Sequence, residues 1–358
     1  MSKLIHNSSR SSRATGFTLL ELLVAMTLSL LLVGLVFTVA QNLNNTADFV
    51  GSMSDVNENL RAAMNMLSRD LCQAGENIPS TGLPIPSGTG AVAIKRPGPG
   101  TLTFAGTVMS ALTPGNGLGP TQGSGANQIQ TDIVTMIGVN QFSPFNNTSV
   151  IANPTVSATQ GTITVSTTAA GNVSPGQLVM LTNAIGSCLL AVSSVNTGTG
   201  VITFKNGDTT NDPLGVNQFL NGAGNTGTLY QLQTTPPTGP WLPMTAYPIY
   251  MTTYYLDTSS PRRLMKQIIM GTAQPAALGI NVMTISYSCS PLATPTDPTR
   301  NPASPNSIRK VILTMIAQTD HQNHANGQWY SKSVTNAVAV QNLDYSNKYS
   351  LGASMTQN

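Results

Sequence analysis

Apolar residues run almost unbroken from Phe17 to about Ala40, after which the pattern changes character. Phe49, Met53, Val56, Leu60, Ala63 or Met64, Leu67 and Leu71 recur at steps of three and four, giving one apolar stripe on a helix. Asp55, Glu58, Asn59, Arg61 and Asp70 fall on its other faces. No proline interrupts Phe17 to Ile78, so both parts read as one continuous helix over residues 17–75. Gly75 is expected as its C-cap, and Pro79 prevents resumption. A helix of about 55–60 residues far exceeds the usual ~11–12. Its second half asks for a sheet laid along the stripe.

Beyond Gly75 the period shortens to two. Prolines 79, 84, 86, 97 and 99 predict extended loops, with a strand at Thr101–Val108 and a core strand at Ile129–Val139. Residues 149–227 differ in texture, with short Thr/Val runs broken by Gly and Asn. Strands are expected there at Thr162–Thr167, Gln177–Thr182, Leu189–Val195 and Val201–Phe204, the last two joined as a hairpin through Asn196–Gly200. This predicts an all-β insertion in a β-domain built from residues 76–148 and 228–358. That domain takes further strands at Leu229–Leu232, Tyr247–Asp257, Arg262–Met270, Asn281–Ser288, Ile308–Thr319 and Ser331–Leu343. The fold class is therefore α+β, a long helix packed on an antiparallel sheet.

The apolar run has 24 residues from Phe17 to Ala40, about 36 Å of helix, against a hydrocarbon core of ~30 Å. It is long enough to span a membrane with some tilt. Residues 1–16 before it are polar and carry Lys3, Arg10 and Arg13 with no acid. The positive-inside rule keeps them cytoplasmic and places the bulk of the chain on the far side. A simple type II anchor accounts for all of this except Glu21. A carboxylate at the centre of a spanning helix costs roughly 2.5–3.5 kcal/mol, less near an interface, and asks for a partner. A cut after Gly16 would give Phe17 a free α-amine one helical turn from Glu21. The carboxylate could then pair with its own terminus or with that of a neighbouring subunit, where it would set the stagger.

Composition narrows the function. Charged residues are 8% of the chain, against about 25% in ordinary soluble proteins. The formal charge is +3, but removing the three leader cations from the 16 basic residues leaves 13, equal to the 13 acids. No basic stripe remains for phosphates, which argues against nucleic acid as a partner. Of the cysteines, Cys188 and Cys289 fall in strand-like regions and would be the pair to bridge in an oxidising compartment, while Cys72 ends the helix. The alternative leaves all three as buried thiols.

The string Gly16-Phe17-Thr18-Leu19-Leu20-Glu21-Leu22-Leu23-Val24-Ala25 resembles the N-terminal processing and methylation motif of type IV pilins and type II secretion pseudopilins. The resemblance implies that prepilin peptidase cuts between Gly16 and Phe17 and methylates the new amine of Phe17. It also implies that Glu21 matches the family's assembly glutamate, and that residues 1–16 are a prepilin leader. Arg69-Asp70-Leu71-Cys72-Gln73-Ala74-Gly75 is similar to the helix end of PilW-type minor pilins and J-type pseudopilins. Tyr254-Tyr255-Leu256, Arg263-Leu264-Met265 and the final strands resemble PilW-type proteins more weakly. The implied partners are prepilin peptidase, the inner membrane, and other major and minor pilins reached through the helix.

Other motifs carry less. Asp320, His321 and His324 could offer metal ligands, but a structural zinc needs four and a catalytic one three. Asn206, Asp208, Asn211 and Asp212 form an oxygen-rich turn; some pilin relatives bind calcium, but this spacing is not an EF-hand loop, and an Asx-rich turn suffices. Gly222, Gly224 and Gly227 satisfy G-x-G-x-x-G, yet they precede a strand instead of opening a helix. No cofactor, metal or catalytic constellation is expected. The reading is a minor pilin of type IV pilus assembly or initiation, held in the inner membrane with its N-terminus cytoplasmic before it joins a pilus. A pseudopilin of type II secretion, and a pilus-associated adhesin with its ligand site in residues 149–227, are the alternatives.

Overall fold

The computed structural model describes residues 16–343 apart from 88–90, 123–127, 219–220, 223–224, 227–228, 236–238, 290–297, 303 and 324–326. Its first element is a single helix, α1, Leu19–Gln73, of 55 residues, about 80 Å long. Only the second half is covered. Val56, Leu60, Ala63, Met64, Leu67 and Leu71 are buried, while the apolar side chains from Leu19 to Val39 are exposed on every side. Each fully buried leucine contributes about 1.5–3 kcal/mol, so the stripe fixes which face of α1 meets the sheets.

The remainder is antiparallel throughout. The strands that build it are β1 Leu112–Gly115, β2 Ile133–Val139, β3 Ala152–Val156, β4 Gln160–Thr164, β5 Leu178–Thr182, β6 Ser187–Ala191, β7 Ser194–Asn196, β8 Val201–Lys205, β9 Thr245–Leu256, β10 Arg263–Ile268, β11 Gln274–Leu278, β12 Ile280–Cys289, β13 Ile308–Gln318 and β14 Ser331–Ala339. The largest sheet runs β6-β5-β9-β10-β11, with β2 paired to β9 and β1 to β2. A separate sheet β12-β13-β14 lies beside it, and α1 packs across both. The result is an α+β, pilin-like architecture.

The 12-residue strand β9 is its spine. Its first half pairs with β5, and its second half with β2 and β10. The sheet is buried on both faces at β2, whose Val134 and Met136 join the core beneath α1 while Ile137 and Val139 join a second core behind it. Two tyrosines of β9 fasten the helix end. Tyr254 donates to Asp70 Oδ2 at 2.8 Å, and Lys266 of β10 reaches the same oxygen at 2.6 Å. Tyr250 donates to the carbonyl of Gln73 at 2.5 Å. It passes over Gly138 to do so, where a Cβ would stand 2.4 Å from the phenol oxygen. Burial pushes both phenols above their ordinary range, so they stay protonated as donors.

The helix end differs from expectation by one residue. Ala74 is the cap, and Gly75 follows in the left-handed region at φ +79, where its N–H reaches the carbonyl of Ile137 at 2.9 Å. At the other end of the covered half, the loop after β13 meets α1. His321 stacks edge-on against Phe49 at 6.2 Å, and Ser52 donates to Asp320 at 3.4 Å. Between Ala40 and this contact α1 is largely bare.

The expected insertion at residues 149–227 is not a self-contained unit. β5 and β6 belong to the large sheet, while β3, β4, β8 and β7 form their own four-stranded sheet. The reason is two-faced burial. Val179, Leu181, Cys188 and Leu190 pack against Ile163, Ile202 and Phe204, whereas Leu178, Met180, Leu189 and Ala191 face the core behind β2. The hairpin through Asn196–Gly200 forms as β7 with β8. Tyr230–Leu232, expected as strand, is a 3-10 turn, with Leu229 and Leu232 still buried. Thr101–Val108 reduces to two-residue pieces, and β11 and β3 were not anticipated.

The cysteine pairing is also corrected. No disulfide joins Cys188 and Cys289. Cys188 is fully buried within the core of the four-stranded sheet, while Cys289 ends β12 and packs against the core beneath α1. The two thiols pack in different cores.

Two measurements check this packing. Asp70→Ala removes the acceptor of both Tyr254 and Lys266. It should lower stability by about 2–3 kcal/mol, less than for a fully buried pair because Lys266 is a quarter exposed; Tyr254→Phe should lower it by about 1 kcal/mol. Thermal unfolding of the full chain in detergent reads both. Burial pushes the Cys188 thiol up to about 12, so it stays protonated and unreactive at pH 8. Maleimide labelling at pH 8, followed by mass spectrometry, should modify the exposed Cys72 in the folded chain and Cys188 only after unfolding.

Candidate functional site

Gly16, Phe17 and Thr18 precede the helix in extended, exposed backbone, and the helix starts abruptly at Leu19. The abrupt start has a local cause. Thr18 is the N-cap, and its Oγ1 accepts from Glu21 N at 3.2 Å. Glu21 answers in the other direction, with Oε2 accepting from Thr18 N and Thr18 Oγ1, both at 3.3 Å. This is a capping box, in which two donors otherwise orphaned at the helix start are satisfied reciprocally. It also sets the carboxylate at the positive end of a long helix dipole.

Phe17 thus directly precedes the N-cap residue Thr18, which Glu21 engages; Gly16 lies one residue further out. The peptide bond between Gly16 and Phe17 lies in exposed non-helical chain. The remainder of the expected leader, residues 1–15, lies outside the described residues. Sequence reasoning overlooked Thr18 as the partner of Glu21. The Thr-x-x-Glu spacing before an apolar run was the signal that could have found it.

Past this turn the helix is prepared for an apolar medium. Thr27 Oγ1 donates to Val24 O and Thr38 Oγ1 to Gly34 O, each at 2.9 Å, so both hydroxyls are returned to their own backbone. Gly34 has no neighbour near its missing Cβ. Glu21 is the one carboxylate between Phe17 and Ala40. α1 is long and apolar enough to cross a membrane, with none of its apolar stretch buried against the remainder of the chain.

The other candidates have different outcomes. Asp208 is engaged by the N–H groups of Thr210 and Asn211, at 3.2 and 3.0 Å, and by the Asn211 side chain at 3.1 Å. Asp212 takes the N–H groups of Gly215, Val216 and Asn217 at 2.7 to 3.0 Å. Both carboxylates are thus absorbed in an Asx-type loop. The hydrogen bonds from Asn211 hold Asp208 below the usual carboxylate range, whereas burial raises Asp212. His321 Nδ1 lies 2.6 Å from Asp320 Oδ1, while His324 is outside the described residues. Among the described residues no three His, Cys, Asp or Glu side chains converge on one point. Asn221–Gly222 and Asn225–Thr226 pair as a short antiparallel turn, and Gly224 and Gly227 lie outside the described residues.

Against known families, residues 11–37 match the prokaryotic N-terminal methylation motif. The match spans Gly16 and Phe17, the capping box and most of the bare apolar helix. Together with that helix it supports a type IV pilin-like protein processed by prepilin peptidase. The chain matches none of the curated proteins and none of the solved structures.

Removal of the cap tests the geometry. Thr18→Ala should destabilise the first turn by about 1 kcal/mol, which frays Leu19–Leu22 without altering the head. Backbone chemical shifts in micelles should show helicity lost in those residues alone.

Proposed function

We propose that the chain is a minor pilin of PilW type, stored in the inner membrane as a precursor and incorporated into a type IV pilus during assembly or initiation. The observation that carries this reading is the division of one helix between two environments. Its first half is apolar on all sides and bears a single carboxylate at its head, beside an exposed cut site. Its second half is locked into a large β-head by burial and by Asp70, Tyr250 and Tyr254. A simple anchor needs the apolar length but not the carboxylate. A subunit that must dock its helix against others needs both.

In this reading the leader stays cytoplasmic and the head lies beyond the membrane. Prepilin peptidase cuts between Gly16 and Phe17 and methylates the amine of Phe17. The cut leaves that amine one residue before the N-cap, close to the carboxylate that caps Thr18. In an apolar medium a lone charge costs several kcal/mol, so Glu21 favours positions where a neighbour's terminus neutralises it. Other pilins are then partners through the helix, and the role is structural and not catalytic. The size of the head favours a place at the tip or in initiation over the repeating shaft.

N-terminal mass spectrometry of protein from membranes and from sheared filaments tests the proposal. The mature chain is expected to begin at methylated Phe17. Glu21→Ala should leave the membrane pool intact and deplete the filament pool at least about tenfold, the ratio that corresponds to about 1.4 kcal/mol of docking free energy. A chain that keeps Met1, or a Glu21→Ala chain present equally in filaments, overturns it.

A further inference from the structure

A cleft of about 440 Å³ opens on the head between the turn joining β9 to β10 and the segment that follows β13. Its lining is polar with one aromatic wall: Thr258, Ser260, Arg262, Asn281, Asp320 and Trp329 contribute the groups that matter here. A smaller hollow of about 160 Å³ shares Pro261, Gln318 and Asp320 with it, and extends it to Ser52, Asp55 and Asn59 of α1. The cleft belongs neither to the processing site nor to the strands of residues 149–227.

Its walls are fixed before any ligand arrives. Asp257 accepts from Ser259 Oγ at 2.6 Å, from Arg263 N at 2.9 Å and from Arg263 Nε at 2.7 Å, which locks the turn. Burial alone would raise the Asp257 carboxyl, but the bonds from Ser259 and Arg263 outweigh it and hold it below the usual range. Across the cleft, Gly279 N donates to Arg262 O at 2.8 Å, and Gln318 N to Gly279 O at 3.0 Å. Thr319 N donates to Tyr330 O at 3.0 Å, which seats the chain beside Trp329.

Within this frame several polar groups are left for something else. Arg262 lines the cleft and is held there by the bond from its Nη2 to Thr121 O at 2.7 Å. Asn281 donates its amide to Gln318, leaving the Asn281 carbonyl free to accept and the Gln318 NH2 free to donate. Asp320 keeps its second oxygen open, and Trp329 presents a ring that is 44% exposed.

These groups define a ligand chemistry. One guanidinium and one carboxylate cancel, so the cleft selects neither a phosphate nor a polycation. It offers a flat aromatic face and no apolar hole for an aliphatic side chain. Its remaining lining offers both donors and acceptors. The ligand must therefore carry many groups that both donate and accept, and one face of C–H bonds to lie on the electron-rich ring. A sugar ring has both. The volume lies within the ~300–1,000 Å³ of small-ligand sites. We infer that this cleft binds a short, uncharged saccharide, with Trp329 as the stacking platform and Arg262, Asn281 and Asp320 reading its hydroxyls. The inference does not depend on the assembly reading, because it concerns the isolated chain.

The chain has two tryptophans, so Trp241→Phe leaves Trp329 as the sole reporter. Full-length protein in a sugar-free detergent is titrated with triacetylchitotriose, lactose and maltotriose up to about 20 mM, a range that covers millimolar affinity. A saturable change in Trp329 emission with at least one of them is expected. The responding sugar separates a wall-type N-acetylated glycan from a galactosyl or glucosyl source. Calorimetry on Trp329→Ala and Asp320→Asn should then show affinity lower by about tenfold or more at an unchanged unfolding midpoint. No saturable response to any of the three sugars, or undiminished binding by Trp329→Ala, overturns the inference.

Discussion

The carboxylate of Asp70 is the point on which the architecture turns. It lies one turn before the end of α1, largely buried, and receives a phenol from β9 and an ammonium from β10. A buried carboxylate without such partners would be costly, so the helix can end here only where both strands already stand in register. The same carboxylate that closes the helix therefore also sets how it meets the sheet. Tyr250 repeats the device one turn on, through the glycine gap at Gly138.

From that anchor the helix divides by what surrounds it. Val56 to Leu71 gain their stabilisation from two sheets, and the apolar residues before Val39 gain none within this chain. Their burial has to come from lipid or from other helices. Glu21 is tolerable at the head of such a segment because it caps the helix. The capping box holds the carboxylate in one place, with its partners already at hydrogen-bond distance.

The parts written locally in the sequence were the parts legible from it. The helix and its stripe depend on periodicity and the absence of proline, and both extended to within two residues of the observed bounds. The β7–β8 hairpin was visible because its turn residues adjoin its strands. What escaped were choices made at long range. β5 and β6 read as part of an insertion because their sequence resembles its neighbours, yet each is apolar on both faces and so fits between two cores. Leu229 and Leu232 signalled burial correctly, but a short apolar run does not distinguish a strand from a turn. Cys188 and Cys289 looked compatible as strand residues until the cores were separated in space. The capping box of Thr18 and Glu21 is local enough to read, because its spacing is the message; the groups around Trp329 are not, since they converge from four separate segments of the chain.

The two fastenings of α1 to the head have a mechanical meaning. Phe49 meets His321 at one end of the covered half, and Gln73 meets Tyr250 at the other, 24 residues or about 36 Å apart. A rod pinned at two well-separated points cannot swivel. A sideways pull on its free end is shared between these two contacts and the buried stripe that lies between them. A head hung from a single hinge would instead peel open one contact at a time.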